Sequence, residues 1–156
     1  PFIVARTGRS VAEHQRMTIE RYDALIATDP GVYIMPALQG YEPAAYADHV
    51  RAYGDRLGQG AWVGVGSICK RNGDPQAIQS VLLAIRAVRP DLRLHGFGLK
   101  LTALASPLIV AMLETADSLA WSFSARREGR NQNDWREAKT WAARITGRPL
   151  QAQLFV

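Results

Sequence analysis

Short apolar runs alternate with amphipathic patterns along most of the chain. Four runs are apolar enough to be buried strands, at residues 33–38, 62–66, 92–97 and 118–123. Their starts at positions 33, 62, 92 and 118 lie 29, 30 and 26 residues apart. This regular spacing leaves room for one helix between successive strands and predicts repeated strand–helix units.

The segments between these runs carry apolar residues three or four positions apart, which is the spacing of one helical face. The positions are Tyr46, Val50, Tyr53 and Leu57; Ile78, Val81, Leu82, Ile85 and Val88; Leu108, Ile109, Met112 and Leu113; and Ala138, Trp141, Ala142 and Ile145. Pro43, Pro75 and Pro107 stand where the second to fourth of the five predicted helices begin, since a first-turn N–H has no helical partner. Residues 10–28 predict the first helix, and residues 2–5 are interpreted as the end of an earlier strand.

Strand–helix units of this length predict a parallel sheet with two possible architectures. One is a doubly wound open sheet and the other is a (β/α)8 TIM-type barrel. Four or five units suffice for the open sheet but form only part of a barrel, and counting alone leaves both open. No charged or proline-rich linker divides the chain, so residues 1–156 are expected to form a single domain.

The composition is that of a soluble globular protein, with 47% hydrophobic and 21% charged residues. No stretch approaches the roughly 18 consecutive apolar residues of a membrane helix, and the N-terminus lacks the pattern of a signal peptide. We therefore expect a cytoplasmic protein that does not contact membranes. Cys69 is the single cysteine, which excludes an internal disulfide and a multi-cysteine zinc site. No metal and no cofactor are expected.

The formal charge of +5 makes an anionic partner plausible, because Lys and Arg release counterions from a phosphate backbone. Seven cations crowd the end of the chain, and two more lie near its middle. They are Arg126, Arg127, Arg130, Arg136, Lys139, Arg144 and Arg148, with Lys70 and Arg71. A solvated helical face would explain the same charges, so the cluster alone does not establish a nucleic-acid site.

Glycines and polar residues stand at or just after the ends of the first three predicted strands, at the sheet edge where parallel α/β proteins bind ligands, and Asp117 leads the fourth. These residues are Gln39 and Gly40; Gly64, Gly66 and Ser67; His95, Gly96 and Lys100; and Asp117. An amide such as Gln39 between an apolar strand and a glycine must be solvated or bonded to a ligand. Each feature also has a structural explanation: the glycines can admit bulky neighbours, His95 can be a core histidine, and Asp117 can cap a helix or pair with Arg126.

Four segments carry a resemblance to a known family. VYIMPALQGYEPAAYADHV (32–50), WVGVGSICKRNG (62–73), LRLHGFGLK (92–100) and TADSLAWSFSARREGR (115–130) resemble the DNA 7-deazaguanine transglycosylase (DpdA) group of the queuine/archaeosine tRNA-guanine transglycosylase superfamily. The segments stand in family order over nearly the whole chain. The resemblance implies a (β/α)8 barrel, of which this chain would hold the later strands and lack the opening ones.

The resemblance also implies an enzyme, a pentosyltransferase that exchanges guanine in DNA for a 7-deazaguanine base such as preQ0. Asp117 would attack C1′ and form a covalent aspartyl–sugar intermediate. The implied base-binding residues are Gln39, Gly40, Gly64, Gly66, Ser67, His95 and Gly96. The expected nucleic-acid-binding residues are Lys70, Arg71, Lys100, Arg126, Arg127 and Arg130. Protein partners from a DNA-modification system would fit the same interpretation.

The sequence departs from the family pattern in two places. Where the nucleophile strand of the family carries a second acid, this chain has Ala120, and positions 117 and 120 of one strand would face opposite ways without a bulge. The zinc-binding cysteines of the tRNA enzymes are absent, which favours DNA over tRNA. The partner carboxylate of the family would lie upstream of Pro1. The alternatives are a non-catalytic nucleic-acid-binding subunit of the same fold, a tRNA-guanine transglycosylase, and an unrelated small-molecule barrel enzyme.

Overall fold

A computed structural model describes the backbone of residues 2–146 and the side chains of residues 4–145. Its sheet has four strands, β1 (Ala37–Leu38), β2 (Trp62–Val65), β3 (Arg93–Gly96) and β4 (Thr115–Ala116). All three pairings are parallel, and the strand order is β1-β2-β3-β4. The mixed α/β class with a parallel sheet is therefore confirmed, and the order follows the chain without a reversal.

The helices occupy the segments between and around the strands. They are α1 (Phe2–Thr7), α2 (Val11–Ile26), α3 (Pro43–Tyr53), α4 (Pro75–Val88), α5 (Leu101–Leu104), α6 (Pro107–Met112), α7 (Ala120–Arg127) and α8 (Trp135–Thr146). The proline starts of α3, α4 and α6 are confirmed. None of the helices in the described part of the chain combines the length and apolar character needed to span a membrane.

Two of these helices begin at side-chain caps that the sequence makes possible. Ser10 and Glu13 form a capping box at the start of α2, in which each side chain accepts from the backbone N–H of the other. At the start of α4 the carboxylate of Asp74 accepts a hydrogen bond from the N–H of Ala77 at 3.1 Å. These bonds satisfy N–H groups that have no partner inside the helix, and they fix where each helix starts.

The hydrophobic core lies between one face of the sheet and the helices. The strands contribute Leu38, Val63, Val65 and Leu94, each fully buried. The helices contribute buried residues at the predicted apolar positions, among them Tyr46, Val50, Ile78, Val81, Leu82, Ile85 and Ile109. Because side chains alternate along a strand, the residues between these strand positions point to the other side of the sheet.

That other side, which we call the open face, carries Trp62, Gly64, His95 and Phe97. Trp62, His95 and Phe97 are partly exposed, and they do not belong to the core cluster. The His95 ring makes edge-on contacts with the rings of Trp62 and Phe97, at centroid distances of 6.0 and 4.8 Å. In the described part of the chain the helices thus build the core on one face, while aromatic and polar side chains cover the other.

Three predictions from the apolar pattern differ from the structure. The first predicted strand, residues 33–38, is confirmed only at its end, since β1 covers Ala37–Leu38 and Tyr33 is 58% exposed. Residues 118–123 do not form the fourth strand: β4 lies earlier, at Thr115–Ala116, and α7 begins at Ala120. Leu119 and Phe123 are 75% and 61% exposed, so the apolar run is not buried in the sheet. From Ala120 onward it belongs to α7. Ala120 therefore lies in α7 and not in the strand. The alternation along a strand, which would turn positions 117 and 120 to opposite faces, does not apply to this pair. Residues 2–5 belong to α1 and not to a strand.

Candidate functional site

The carboxyl ends of the four strands bring predicted site residues onto the open face. Ala37, Gly64, His95 and Thr115 are in register across the sheet. Beyond that row the ladder continues through three bonds, from the N–H of Gly66 to Leu38 O, of Phe97 to Val65 O, and of Asp117 to Gly96 O. The next row on the same face is therefore Gln39, Gly66, Phe97 and Asp117.

Asp117 directly follows Ala116, the last residue of β4. One carboxylate oxygen accepts a hydrogen bond of 2.5 Å from the backbone N–H of Gly98. The same oxygen lies 3.8 Å from Nε2 of His95, and the Asp117 side chain is 59% exposed. The carboxylate is thus oriented by a neighbouring loop while remaining open to a ligand, as a nucleophile must be.

His95 is held from several sides on the open face. Its Nδ1 lies 2.7 Å from the hydroxyl oxygen of Thr115, and its side chain is 14% exposed. Together with the edge-on contacts to Trp62 and Phe97, this hydrogen bond fixes the plane of the ring. His95 is therefore not a residue of the hydrophobic core, and its Nε2 is turned toward Asp117.

A cavity of about 930 Å³ opens at the ends of β1 and β2. Its lining includes five of the predicted residues, Gln39, Gly40, Ser67, Lys70 and Arg71. Asp117 and His95 are not among its lining residues, so the predicted site divides between this cavity and the ends of β3 and β4.

The side chain of Gln39 lies at this cavity. A Cβ added to Gly66 would lie 3.2 Å from Cγ of Gln39, so the glutamine side chain runs closely over the end of β2. Its amide makes no hydrogen bond to any residue in the described part of the chain. An exposed, unpaired amide is free to bind a ligand that offers both a donor and an acceptor.

Side chains beneath the cavity fix the backbone of Gln39. Nε2 of Gln15 donates to the carbonyl oxygens of Gln39 at 2.6 Å and of Ala45 at 2.8 Å. Nδ1 of the fully buried His49 accepts from the N–H of Gln39 at 3.0 Å, and burial lowers the pKa of His49 below its ordinary value of 6.5. A lowered pKa favours the neutral ring, in which one nitrogen can accept a hydrogen bond. The sequence pattern placed His49 on a helix but gave no sign of this role.

Tyr46 joins the ends of the first two strands. Its hydroxyl donates to the carbonyl oxygen of Gly66 at 2.8 Å, and its ring lies 2.9 Å from where a Cβ of Gly40 would stand. The apolar pattern identified Tyr46 as a buried helical position, which is confirmed. Its hydroxyl bond depends on the packing of α3 against the sheet and has no local sequence signal.

Close packing accounts for Gly64 and Gly96. A methyl group on Gly64 would overlap the ring of Phe97, and one on Gly96 would lie 2.6 Å from Cδ1 of Leu99. The structural explanation for these two glycines therefore has direct support. Contact of either residue with a base stays a prediction.

Ser67, the second residue after β2, adopts the left-handed backbone conformation, with φ of 65° and ψ of −8°. For a residue with a Cβ this conformation costs roughly 1–2 kcal/mol. Such conformations concentrate at binding and catalytic sites. Ser67 also lines the cavity, but nothing in the residue type signals its conformation.

Asn72 connects the loops that follow β2 and β3. Its side-chain nitrogen donates to the carbonyl oxygens of Cys69 at 2.6 Å and Gly98 at 3.0 Å, and its side-chain oxygen accepts from the N–H of Lys100 at 2.7 Å. Asn72 is only 6% exposed. Since Gly98 also donates to Asp117, Asn72 supports the loop that orients the carboxylate. Sequence reasoning missed this residue.

The predicted nucleic-acid-binding cations fall into two groups. Arg71 is held by the carbonyl of Tyr41 and the face of its ring, and Arg130 is held by Glu128 and Glu137, so both have protein partners. Lys70, Lys100, Arg126 and Arg127 form no ion pair with other residues that the structure describes. Arg148 lies outside the described residues.

These features define an α/β protein with a parallel sheet, whose candidate site lies at the carboxyl ends of its strands. The model of one protein family, described as DpdA, DeoxyPurine in DNA protein A, matches residues 1–149. The chain belongs to this family, which confirms the resemblance and indicates a role in DNA modification. Searches of curated proteins and of solved structures gave no significant match.

Proposed function

We propose that the chain exchanges guanine in DNA for a 7-deazaguanine base, as a pentosyltransferase with Asp117 as its nucleophile. The observation that carries the proposal is the Asp117 carboxylate, which is exposed at the end of β4, oriented by the N–H of Gly98 and adjacent to His95. Family membership supplies the link to DNA.

We further propose that the sheet is part of a (β/α)8 barrel. A doubly wound sheet reverses its strand order and has helices on both faces, whereas the order here is β1-β2-β3-β4. In a barrel the helices surround the sheet and the other face lines the interior. The open face, with its bulky aromatic side chains, would then be the barrel interior.

The proposed reaction has two displacements at C1′ of the nucleotide. A carboxylate oxygen of Asp117 forms a bond to C1′ as the bond from C1′ to N9 of guanine breaks, and the departing base takes up a proton. The ring nitrogen of the incoming 7-deazaguanine then gives up its proton and attacks C1′, which breaks the ester and restores the carboxylate. Water or a general acid supplies the first proton and its conjugate base takes up the second, so the two displacements together leave the charge unchanged and require no oxidant or reductant.

The remaining residues would bind the base. The unpaired amide of Gln39 offers one acceptor and two donors, which match the N–H groups and carbonyl of a guanine or deazaguanine ring. Adjacent strands lie about 4.8 Å apart, so three steps separate β1 from β4 by roughly 14 Å along the sheet, and less where it curves. Gln39 and Asp117 point to the same face, which lets one nucleotide lie between them.

Trapping of the covalent intermediate tests the proposal. Wild-type protein incubated with guanine-containing DNA should form an adduct that survives denaturing electrophoresis, and Asp117→Asn should reduce it at least 100-fold. Asp55→Asn is the matched control, because Asp55 is an exposed aspartate that lies before β2 and lines no part of the candidate site, and it should leave the adduct unchanged.

Incorporation of a labelled 7-deazaguanine into DNA, compared with tRNA, tests the substrate. Incorporation into tRNA alone would reassign the substrate class. Adduct formation by Asp117→Asn at the wild-type level would remove Asp117 from the mechanism. Salt-dependent DNA binding with neither adduct nor incorporation would favour the non-catalytic binding subunit.

A further inference from the structure

A second polar and aromatic surface lies at the other end of the described chain, on α7 and α8, which pack against each other. Trp135 at the start of α8 is 64% exposed. The guanidinium carbon of Arg136 and Nζ of Lys139 lie 5.8 and 5.9 Å from the centre of its ring. An indole this exposed, with two cations beside it, is unusual for a surface that only faces water.

The charges on α7, α8 and the segment between them leave a positive excess. The three acids of residues 120–146, Glu128, Asp134 and Glu137, are paired with Arg130 or Arg136. Arg126, Arg127 and Lys139 form no ion pair with any residue in the described ranges. Residues 120–146 hold six Lys and Arg against these three acids, which leaves a net charge of +3, and these three cations outside the ion pairs are available to an anionic partner.

We infer that Trp135, with Lys139, Arg126 and Arg127, binds an unpaired stretch of the DNA strand. The indole would stack on a base, and the cations would contact the phosphates on either side. Exposed aromatic rings with adjacent cations are how proteins bind single strands, since each base offers a face for stacking. A fully paired duplex offers the phosphates but no free base face.

The inference rests on the proposed function for one point, that the partner is DNA. Chemistry at C1′ of a nucleotide inside a duplex requires that nucleotide to leave the stack, and the enzyme must then hold a strand that is locally unpaired. A surface that stacks on an exposed base would lower the free energy of that unpaired state. The surface would therefore contribute to substrate binding and not to the displacement steps.

Fluorescence anisotropy with the full chain tests the surface. A labelled single-stranded oligonucleotide and the same sequence in a duplex are titrated at several salt concentrations. The wild type should bind the single strand more tightly, and Trp135→Ala should weaken that binding by roughly 5- to 100-fold, in line with the loss of one stacked base. Trp135→Phe should lose much less, because it keeps an aromatic face.

Two further variants separate stacking from charge. Lys139→Gln should reduce the slope of log affinity against log salt by about 0.7, as expected for one phosphate contact to a single strand. Trp135→Ala should leave that slope unchanged. Leu83→Ala is the matched control, since Leu83 is 59% exposed on α4 and truncation there should not alter binding.

The outcomes distinguish this inference from the proposed reaction. If the wild type forms no covalent adduct but its single-strand binding still depends on Trp135, only the proposed chemistry would be overturned. Single-strand affinity of Trp135→Ala equal to that of Leu83→Ala would overturn the inference. Equal loss of single-strand and duplex binding would overturn it as well, because it would show that the indole does not read an unpaired base.

Discussion

Replacing Asn72 tests whether its side-chain hydrogen bonds stabilise the loops that follow β2 and β3. Asn72→Ala removes three side-chain hydrogen bonds and leaves the N–H of Lys100 and the carbonyls of Cys69 and Gly98 without this partner in a nearly buried setting. At roughly 0.5–1.5 kcal/mol for each bond, the variant should lose about 2–4 kcal/mol of unfolding free energy. This is a large part of the 5–15 kcal/mol that is typical of a whole domain.

Urea unfolding followed by circular dichroism measures this loss. With a slope of about 2 kcal/mol per molar urea, the midpoint should fall by roughly 1–2 M without a change of slope. Asn133→Ala is the matched control, because Asn133 is exposed, and it should stay within about 0.5 kcal/mol of the wild type. If the two variants unfolded at the same urea concentration, the three bonds would not hold the loops as we describe.

Asn72→Asp adds a second, more specific measurement. The aspartate keeps the size of the side chain and an acceptor for the N–H of Lys100, but it turns an oxygen toward the carbonyls of Cys69 and Gly98. The variant should therefore be destabilised although almost no volume is lost. Both Asn72 variants should also lower the yield of the covalent adduct, because the Gly98 loop that orients Asp117 loses its support.

Two further predictions concern the packing of the sheet and the dependence of stability on pH. Gly64→Ala should cost about 1–3 kcal/mol in urea unfolding because its methyl group overlaps the Phe97 ring, while Gly58→Ala, with open space around its Cβ position, should cost far less; equal midpoints would contradict the packing. Burial lowers the pKa of His49, so the unfolded chain binds a proton below about pH 6.5 that the folded chain does not. The unfolding free energy should therefore fall as the pH drops from 7 through 6.5 toward 5. His49→Gln should flatten this decline, and an unchanged decline would assign it to other groups.

Local signals in the sequence predicted most of the secondary structure. The boundaries of β2 and β3 agree with the predicted runs to within a residue at each end, because buried parallel strands are short, continuous and apolar. Proline fixes the starts of α3, α4 and α6 by its missing N–H. The fourth strand was misplaced because an apolar run of six residues has no period that separates a strand from a turn of helix.

Only some residues of the candidate site could be predicted from the sequence, because only some of them have a local signal. Strand ends are local features, so Gln39, Ser67 and His95 could be named from the chain alone. Asp117 was named too, but at the start of the misplaced fourth strand. The residues that support them could not be named, since Gln15 and Asn72 act on segments that lie 24 to 30 positions away. Their partners are set by the packing of helices and loops against the sheet, which no local pattern contains.

The hydrogen bonds that anchor the backbone of Gln39 have a consequence for ligand preference among related chains. Gln15 and His49 bond to the carbonyl and the N–H of residue 39, and neither bond involves its side chain. The main chain at the cavity mouth is thus anchored independently of which side chain stands there. Exchange of that one side chain could retune ligand preference while the scaffold beneath it stays intact, so related chains could diverge in selectivity at this position without rebuilding the fold.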